Sequence, residues 1–445
     1  MLQSIKTKKL FGRFDYCIDF KSKRMNIITG PNGFGKTTIL KIIRDVLDDN
    51  LFDLYSIPFD DIELNTDDGK ILLFQKQNDQ CFLNGERIFI PTSINDSNLD
   101  NIIFTLRETD LNYLRATYRR YFPISQVLTT SSVESSNPEQ SNLTSLDYVV
   151  RINMQLQEKT ASKMADALLN FYASTGNTIF CGADRLYREY FINDRGRNKK
   201  KLTDVIGSLS SKLDSIFNYY NQEYTRLSNT LDYSFITSLS NQIANSQSQK
   251  YTKQNYDEDS SLIKNKLQKL ISYGFLVDNP QYADNAVFNE KYSLVFKIFN
   301  DNYKQKINEL EKLVKKLDLF IKIVNSKLTN KTVELKKAKD GNNIIVRDGD
   351  NIIPLQNLSS GEQEIIVLYF KLIFEVHDKL IGLIDEPELS SHVSWQFEML
   401  DDFEQILEIN ENILQMIICT HSPQVINEKW NQTIDLFEMD ERKNG

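Results

Sequence analysis

Little in this 445-residue sequence offers metal or redox chemistry, for it holds only four cysteines and three histidines. Cys17, Cys81, Cys181 and Cys419 lie far apart with no Cys-x-x-Cys pair, which argues against a disulfide framework and against a zinc knuckle. Long apolar runs are also lacking. Stretches such as 380–384 and 413–419 fall far short of the roughly 20 residues a membrane-spanning helix needs, so no membrane span is expected. The opening Met1-Leu2-Gln3-Ser4-Ile5-Lys6 has no secretory apolar core, and a cytoplasmic location is the expectation. Positive charge is not in excess: 53 Lys and Arg against 61 Asp and Glu give a net −8, so any contact with nucleic acid would have to be local. What is present is an apolar fraction of 40% with 26 Phe and 20 Tyr, which excludes a disordered polyelectrolyte. The length suits about three domains, or one large domain with an insertion.

The first 30 residues carry strand signals. Phe14, Tyr16, Ile18 and Phe20 alternate with polar neighbours, and Met25-Asn26-Ile27-Ile28 runs into a glycine. Ile39, Leu40, Ile42, Ile43 and Val46 then recur with helical spacing. Short alternating pieces between 57 and 90, separated by Asp67-Asp68-Gly69 and Asn84-Gly85, predict an antiparallel sheet. Residues 129–145 are polar and read as a loop; Ile179-Phe180-Cys181 reads as a short strand. Two apolar stripes predict paired helices: Ile206, Leu209, Leu213, Ile216, Tyr220 and Leu227, then Ile307, Leu310, Val314, Leu317, Ile321, Val324 and Leu328. The second spans about 33 Å at ~1.5 Å per residue, too short for a chromosome-bridging arm. The polar interval 241–261 is expected at a bend. Alternation returns at Ile344-Ile345-Val346, and a last strand is expected over 433–437.

Gly30-Pro31-Asn32-Gly33-Phe34-Gly35-Lys36-Thr37-Thr38 fits G-x-x-x-x-G-K-[ST] between a predicted strand and a predicted helix. Glycines let the backbone wrap a phosphate with its N–H groups inward, and the helix adds the positive end of its dipole. Lys36 would reach the β- and γ-phosphates and the Thr37 hydroxyl would ligate Mg²⁺, so ATP and Mg²⁺ are the expected ligands. Downstream, Leu380-Ile381-Gly382-Leu383-Ile384 is an apolar strand ending in Asp385-Glu386, suited to holding Mg²⁺ (Asp385) and to orienting or deprotonating a water (Glu386). Leu358-Ser359-Ser360-Gly361-Glu362-Gln363 precedes a helical apolar run, an anion-binding geometry that an ordinary helix cap would also explain. Finally, Ile417-Ile418-Cys419-Thr420 sets His421 at the end of another buried strand.

In this order the four segments resemble the ATP-binding cassette (ABC) ATPases, in the branch shared with SMC, Rad50, RecF and OLD-type proteins, over roughly 1–125 and 340–445. The resemblance implies an α/β ABC-ATPase head, a mixed sheet plus an antiparallel β lobe, with a long inserted helical, short coiled-coil domain. It implies a Walker A loop whose cofactor-binding residues include Asn32, Gly33, Gly35, Lys36, Thr37 and Thr38. It also implies a signature at Ser359, Ser360 and Gly361, a Walker B with Asp385, and a catalytic pair Glu386 and His421. Ser360 stands where glycine is usual, so either serine could touch a γ-phosphate held by a second subunit. Residues 387–392 resemble a D-loop; Gln75 and Gln77 are candidates for the Q-loop. The expected organisation is 1–125 as the N-terminal half of the head, 126–200 as a joining segment, 201–340 as a helical insertion, and 341–445 as the C-terminal half.

With one copy of each motif, two chains head to tail would complete two ATP sites. Residues 37–358 exceed what a transporter ATPase needs, and the 24 residues after His421 leave no room for the nuclease domain of OLD-type proteins. Leu10-Phe11-Gly12-Arg13-Phe14-Asp15-Tyr16, Asp184-Arg185-Leu186 and Thr420-His421-Ser422-Pro423-Gln424-Val425-Ile426 resemble ATPases of bacterial anti-phage operons, the AriA type of PARIS systems before the PtuA type of Septu and retron systems. That resemblance implies a homo-oligomer, for the AriA type a higher-order ring, with a separate effector nuclease or toxin, Toprim-type rather than HNH-type, and a phage-encoded trigger. The competing expectation is a DNA-repair ATPase that clamps DNA through Arg115, Arg119 and Arg120 or the run Arg195, Arg197, Lys199, Lys200 and Lys201; a solvated surface explains those residues as well. Replacing Leu317 and Ile321 by Asp is expected to disturb the insertion and spare the heads.

Overall fold

A computed structural model describes residues 1–21, 24–48, 50–78, 80–88, 158–194, 197–244, 251–274, 287–338 and 341–441. The polar stretch 129–145 and Arg115, Arg119, Arg120 and Arg195 lie outside them. Two sheets dominate. The antiparallel sheet runs β2 (Phe14–Asp19), β1 (Leu2–Leu10), β4 (Asp61–Thr66), β5 (Ile71–Gln77), β6 (Gln80–Leu83), β7 (Glu86–Ile88). Its turns follow the sequence signals: Asn84 and Gly85 both have positive φ, as a two-residue hairpin turn requires. The second sheet is parallel throughout, in the order β16 (Thr433–Asp435), β3 (Met25–Thr29), β15 (Ile413–Cys419), β14 (Leu380–Asp385), β8 (Asn177–Cys181). The fold is therefore mixed α/β.

Strand alternation sorts the parallel sheet's residues into two cores. Ile28, Ile381, Leu383, Ile417 and Cys419 face α1 (Lys36–Leu47) and, through it, the antiparallel sheet. Ile27, Leu380, Ile384, Met416 and Ile418 belong to the other core, with α7 (Ser360–Phe374) and α9 (Met399–Ile409). The short α2 (Leu51–Ser56) packs on α1, and α3 (Glu158–Thr175) packs on the antiparallel sheet before leading into β8. The hairpin β9 (Tyr187–Asp194) and β10 (Arg197–Asp204) follows β8, so Arg197 and Lys199–Lys201 lie on β10.

Three long helices form the insertion: α4 (Val205–Ala244), α5 (Lys253–Ser272) and α6 (Ser293–Lys327). The interval expected at a bend is in part α5, begun by Thr252 and Asn255 in a reciprocal capping box. Both stripes fall on helices, yet the α6 stripe is wider than a heptad seam, since Leu313, Phe320 and Ile323 are buried beside Leu310, Leu317 and Val324. The reason is a third neighbour. The Phe320 ring lies 6.1 Å from Phe370 and 5.5 Å from Phe374 of α7, so the base of α6 shares the core of the parallel sheet. A three-stranded sheet, β11 (Thr332–Ala338), β12 (Gly341–Asp348) and β13 (Asn351–Ile353), follows, and the division at 340/341 falls inside its first hairpin. The expected strand 433–437 stops at Asp435, whose Oδ1 accepts the Phe437 amide at 2.9 Å and opens α11 (Leu436–Glu441). The remaining α-helices among the described residues are the single turns α8 (Val393–Gln396) and α10 (Pro423–Ile426).

This shared core changes what a charge at Leu317 should do. Leu317 is fully buried among residues of both the insertion and α7, whereas Ile321 is only half-buried. Leu317→Asp is expected to destabilise the whole chain by on the order of 4 kcal/mol, because an unpaired charge replaces a close-packed side chain. Calorimetry should show one transition shifted downward; a lost minor transition with an unmoved main one would mean the insertion melts alone.

Candidate nucleotide-binding and catalytic site

Four neighbouring strands, β3, β15, β14 and β8, end at the same edge of the parallel sheet, where such sheets bind ligands. The loop 30–38 follows β3. Its backbone demands glycine: φ is 144° at Gly30, 87° at Gly33 and 85° at Gly35. Leu436 packs on Gly30, 3.3 Å from where a Cβ would sit. Gly35 is the N-cap of α1 and offers no side-chain cap, so the first amides of the helix point into the loop unpaired by any capping group. Asn32 and Gly33 are exposed at the tip. Lys36 is buried and folds across the loop, donating to the carbonyls of Gly30 at 2.8 Å and Pro31 at 3.2 Å. From outside, the Tyr16 hydroxyl donates to the Phe34 carbonyl at 2.8 Å, tying the loop to the antiparallel sheet.

Asp385 ends β14 in a buried position. Its carboxyl is held above the ordinary range by burial first and by Glu386 next; opposing these are a hydrogen bond from Thr37 and the charges of Lys36 and Lys41. Oδ1 of Asp385 has no partner among the described residues. A buried orphan carboxylate oxygen beside a threonine hydroxyl is a hard-oxygen pair of the kind Mg²⁺ takes, so Thr37 and Asp385 fit the expected metal. Thr38 is half-buried one position further along α1. Asp385→Asn is expected to raise the melting temperature of the nucleotide-free protein by on the order of 1–3 °C at neutral pH. The sign follows from the raised carboxyl: the folded state resists ionisation, so stability present at low pH is lost as pH rises through the folded-state value, and asparagine escapes that loss. Stabilisation by Mg²⁺ with ATP should disappear in the same variant; scanning fluorimetry with and without Mg²⁺ checks both.

Glu386 follows with its amide donating to the Cys419 carbonyl at 2.9 Å. His421, half-exposed, places Nδ1 3.6 Å from Glu386 Oε1 and 3.4 Å from Glu388 Oε1. Glu388 itself is buried, accepting the Thr420 hydroxyl at 2.6 Å and the His421 amide at 3.2 Å. Cys419, wholly buried, sits within the electrostatic reach of Asp385, Lys36, Glu386 and Glu388, which marks the spot where the three strand ends meet.

The structure thus brings together Gly30–Thr38, Asp385, Glu386 and His421. It does not bring Ser359, Ser360 or Gly361 to them: among the described residues, no hydrogen bond or ion pair joins the signature to the loop 30–38. Ser359 is the N-cap of α7, in a capping box with Glu362, whose Oε2 accepts the Ser359 amide and hydroxyl, each at 2.9 Å. Lys331 pairs with Glu362 at 2.7 Å, and Ser360 is exposed on the first turn. Gln75 donates to Asp61 at 3.0 Å and Gln77 is exposed, both on β5.

Sequence reasoning missed the roles of Glu388 and Arg185. Glu388 could have been found from its place two residues beyond Glu386. Arg185, four residues after β8 ends at its sheet edge in Cys181, donates from Nη2 to the Glu386 carbonyl at 2.9 Å, a contact no local pattern announces.

A family model described as AAA ATPase domain matches residues 2–426. No curated protein matches the chain. Among solved structures, the chain is similar to an SMC head bound to the C-winged helix domain of ScpA, at 12% identity and a TM-score of 0.38, with 98% of this chain and 93% of that one covered.

Proposed function

The chain belongs to the AAA ATPase domain family, and from that premise we propose that it is an ABC-type ATPase subunit that closes head to tail with a second copy around two ATP molecules. The observation that carries this reading is the division of the site. The loop 30–38, Asp385, Glu386 and His421 share one sheet edge, while Ser359 and Gly361 lie at the N-terminal end of α7, joined to the loop 30–38 by no hydrogen bond or ion pair among the described residues. A second copy would supply the signature to the phosphate that the first one holds. Lys36 and the amides of α1 would bind the phosphates, Glu386 would orient or deprotonate the water, and His421 would sense the γ-phosphate. Bound Mg²⁺ would neutralise charge between the β- and γ-phosphates.

What closure controls is a separate effector nuclease or toxin, in defence against phage. This rests on the likeness of residues 10–16, 184–186 and 420–426 to defence ATPases, in which the ATPase assembles with such an effector. Sedimentation of the purified protein in Mg·ATP tests the first part: a dimer or larger ring is expected, and a monomer turning over ATP at full rate would remove its basis. Copurification with the nuclease of a neighbouring gene tests the second. Salt-dependent duplex binding that weakens when Arg195, Arg197 and Lys199–Lys201 are neutralised would favour a DNA-repair clamp instead.

A further inference from the structure

Glu386 stands in a backbone conformation that needs holding. Its φ of 45° lies in the left-handed region, which side-chain-bearing residues resist, and Ser390 four residues on has φ 58°. Buried charges close around this segment. Arg185, Glu364 and Glu388 are 3%, 8% and 7% exposed, and each keeps one polar atom, Nε, Oε2 and Oε2, without a partner among the described residues. Glu364, from α7, bonds Ser390, and Gly361 one turn earlier abuts the Ser390 carbonyl so closely that a Cβ there would lie 2.2 Å from it. Arg185 is balanced by the charges of Glu364 and Glu388, yet its one hydrogen bond among the described residues goes to neither: it goes to the Glu386 carbonyl. A guanidinium is always charged and donates in fixed directions from a planar group, so a buried one aims better than a lysine can. It also sits at the root of the β9–β10 hairpin, whose base is closed by the Val205 amide on the Leu186 carbonyl at 2.9 Å.

We propose that Arg185 is a positioning residue for hydrolysis: by fixing the Glu386 carbonyl, it holds that residue in the left-handed turn that directs its carboxylate toward His421 and the attacking water. The inference rests on the reading of Glu386 as the residue that handles the water. It requires that loss of the guanidinium lower the rate of hydrolysis without loosening ATP.

The test uses the full chain. R185K keeps the charge between Glu364 and Glu388 and removes the fixed donor. It is expected to lower kcat at least ~10-fold, with KM and ATP affinity within about threefold of wild type. In an E386Q background, R185K should add no further loss to single-turnover hydrolysis, because the group it positions is gone. Equal losses in both backgrounds, or wild-type kcat in R185K while E386Q stalls, would overturn the positioning role and leave the Glu386 reading intact. Wild-type turnover by E386Q alone would remove the Glu386 reading and this inference with it. As a second measurement, R185A turnover should recover with ethylguanidinium and not with ethylammonium; equal recovery with both, or with neither in a folded protein, counts against a directed donor.

Discussion

With Glu386 replaced by glutamine, ATP should bind about as tightly as in the wild type and be hydrolysed at least ~100-fold more slowly, the usual range for loss of a positioned base. The asymmetry follows from where Glu386 sits. Its amide bonds the Cys419 carbonyl at 2.9 Å and its carbonyl accepts Arg185 and the Leu389 amide, so the backbone turn survives the substitution. Glutamine matches glutamate in shape and loses only the negative charge. None of the bonds that shape the phosphate loop, Lys36 to Gly30 and Pro31 or Tyr16 to Phe34, involves Glu386. If closure around ATP is what hydrolysis reverses, E386Q should also accumulate as the closed pair in Mg·ATP, seen as a stable doubling of mass by light scattering. Turnover at the wild-type rate would show that another group, with Glu388 beside His421 the first to examine, handles the water.

Much of this site could be read before any coordinates because its parts are local. A phosphate loop is a run of nine residues whose glycines are required by φ values of 144°, 87° and 85° that other side chains resist. Buried parallel strands announce themselves as unbroken apolar runs, and 380–384 runs directly into Asp385 while 413–419 ends two residues before His421. What stayed hidden is long-range. Arg185 acts on a backbone carbonyl 201 positions away, and a carbonyl carries no side-chain identity for a pattern to register. The wide burial on α6 was illegible for a related reason. Leu313, Phe320 and Ile323 look like additions to a heptad until Phe370 and Phe374 of α7 are seen against Phe320, in the core that all three share. Helix α5 escaped because its first residues are polar, and the capping pair Thr252 and Asn255 sits among many other polar side chains.

Lys36→Ala should abolish measurable ATP binding in the micromolar range, a loss of ~100-fold or more. Two charge-assisted bonds to phosphate, each on the order of 1.5–3 kcal/mol, are enough for that, since every 1.4 kcal/mol is tenfold in affinity. The loss has a second source. The Lys36 ammonium also bridges the carbonyls of Gly30 and Pro31, and alanine removes both bonds, so the loop loses a tie that holds its shape. A third source lies across the site. The charge of Lys36 helps keep the buried Asp385 carboxyl from holding its proton still more tightly, so its removal makes that carboxyl take a proton more readily and weakens the oxygen pair offered to Mg²⁺. These contributions separate by experiment. Lys36→Arg restores the charge near Asp385 but carries a larger head group into a buried loop, so it should recover Mg²⁺-dependent stabilisation more than it recovers ATP affinity, measured by calorimetric titration of each. Unchanged ATP affinity in Lys36→Ala would mean that the phosphates are held elsewhere, because no group in the loop other than Lys36 carries a positive charge.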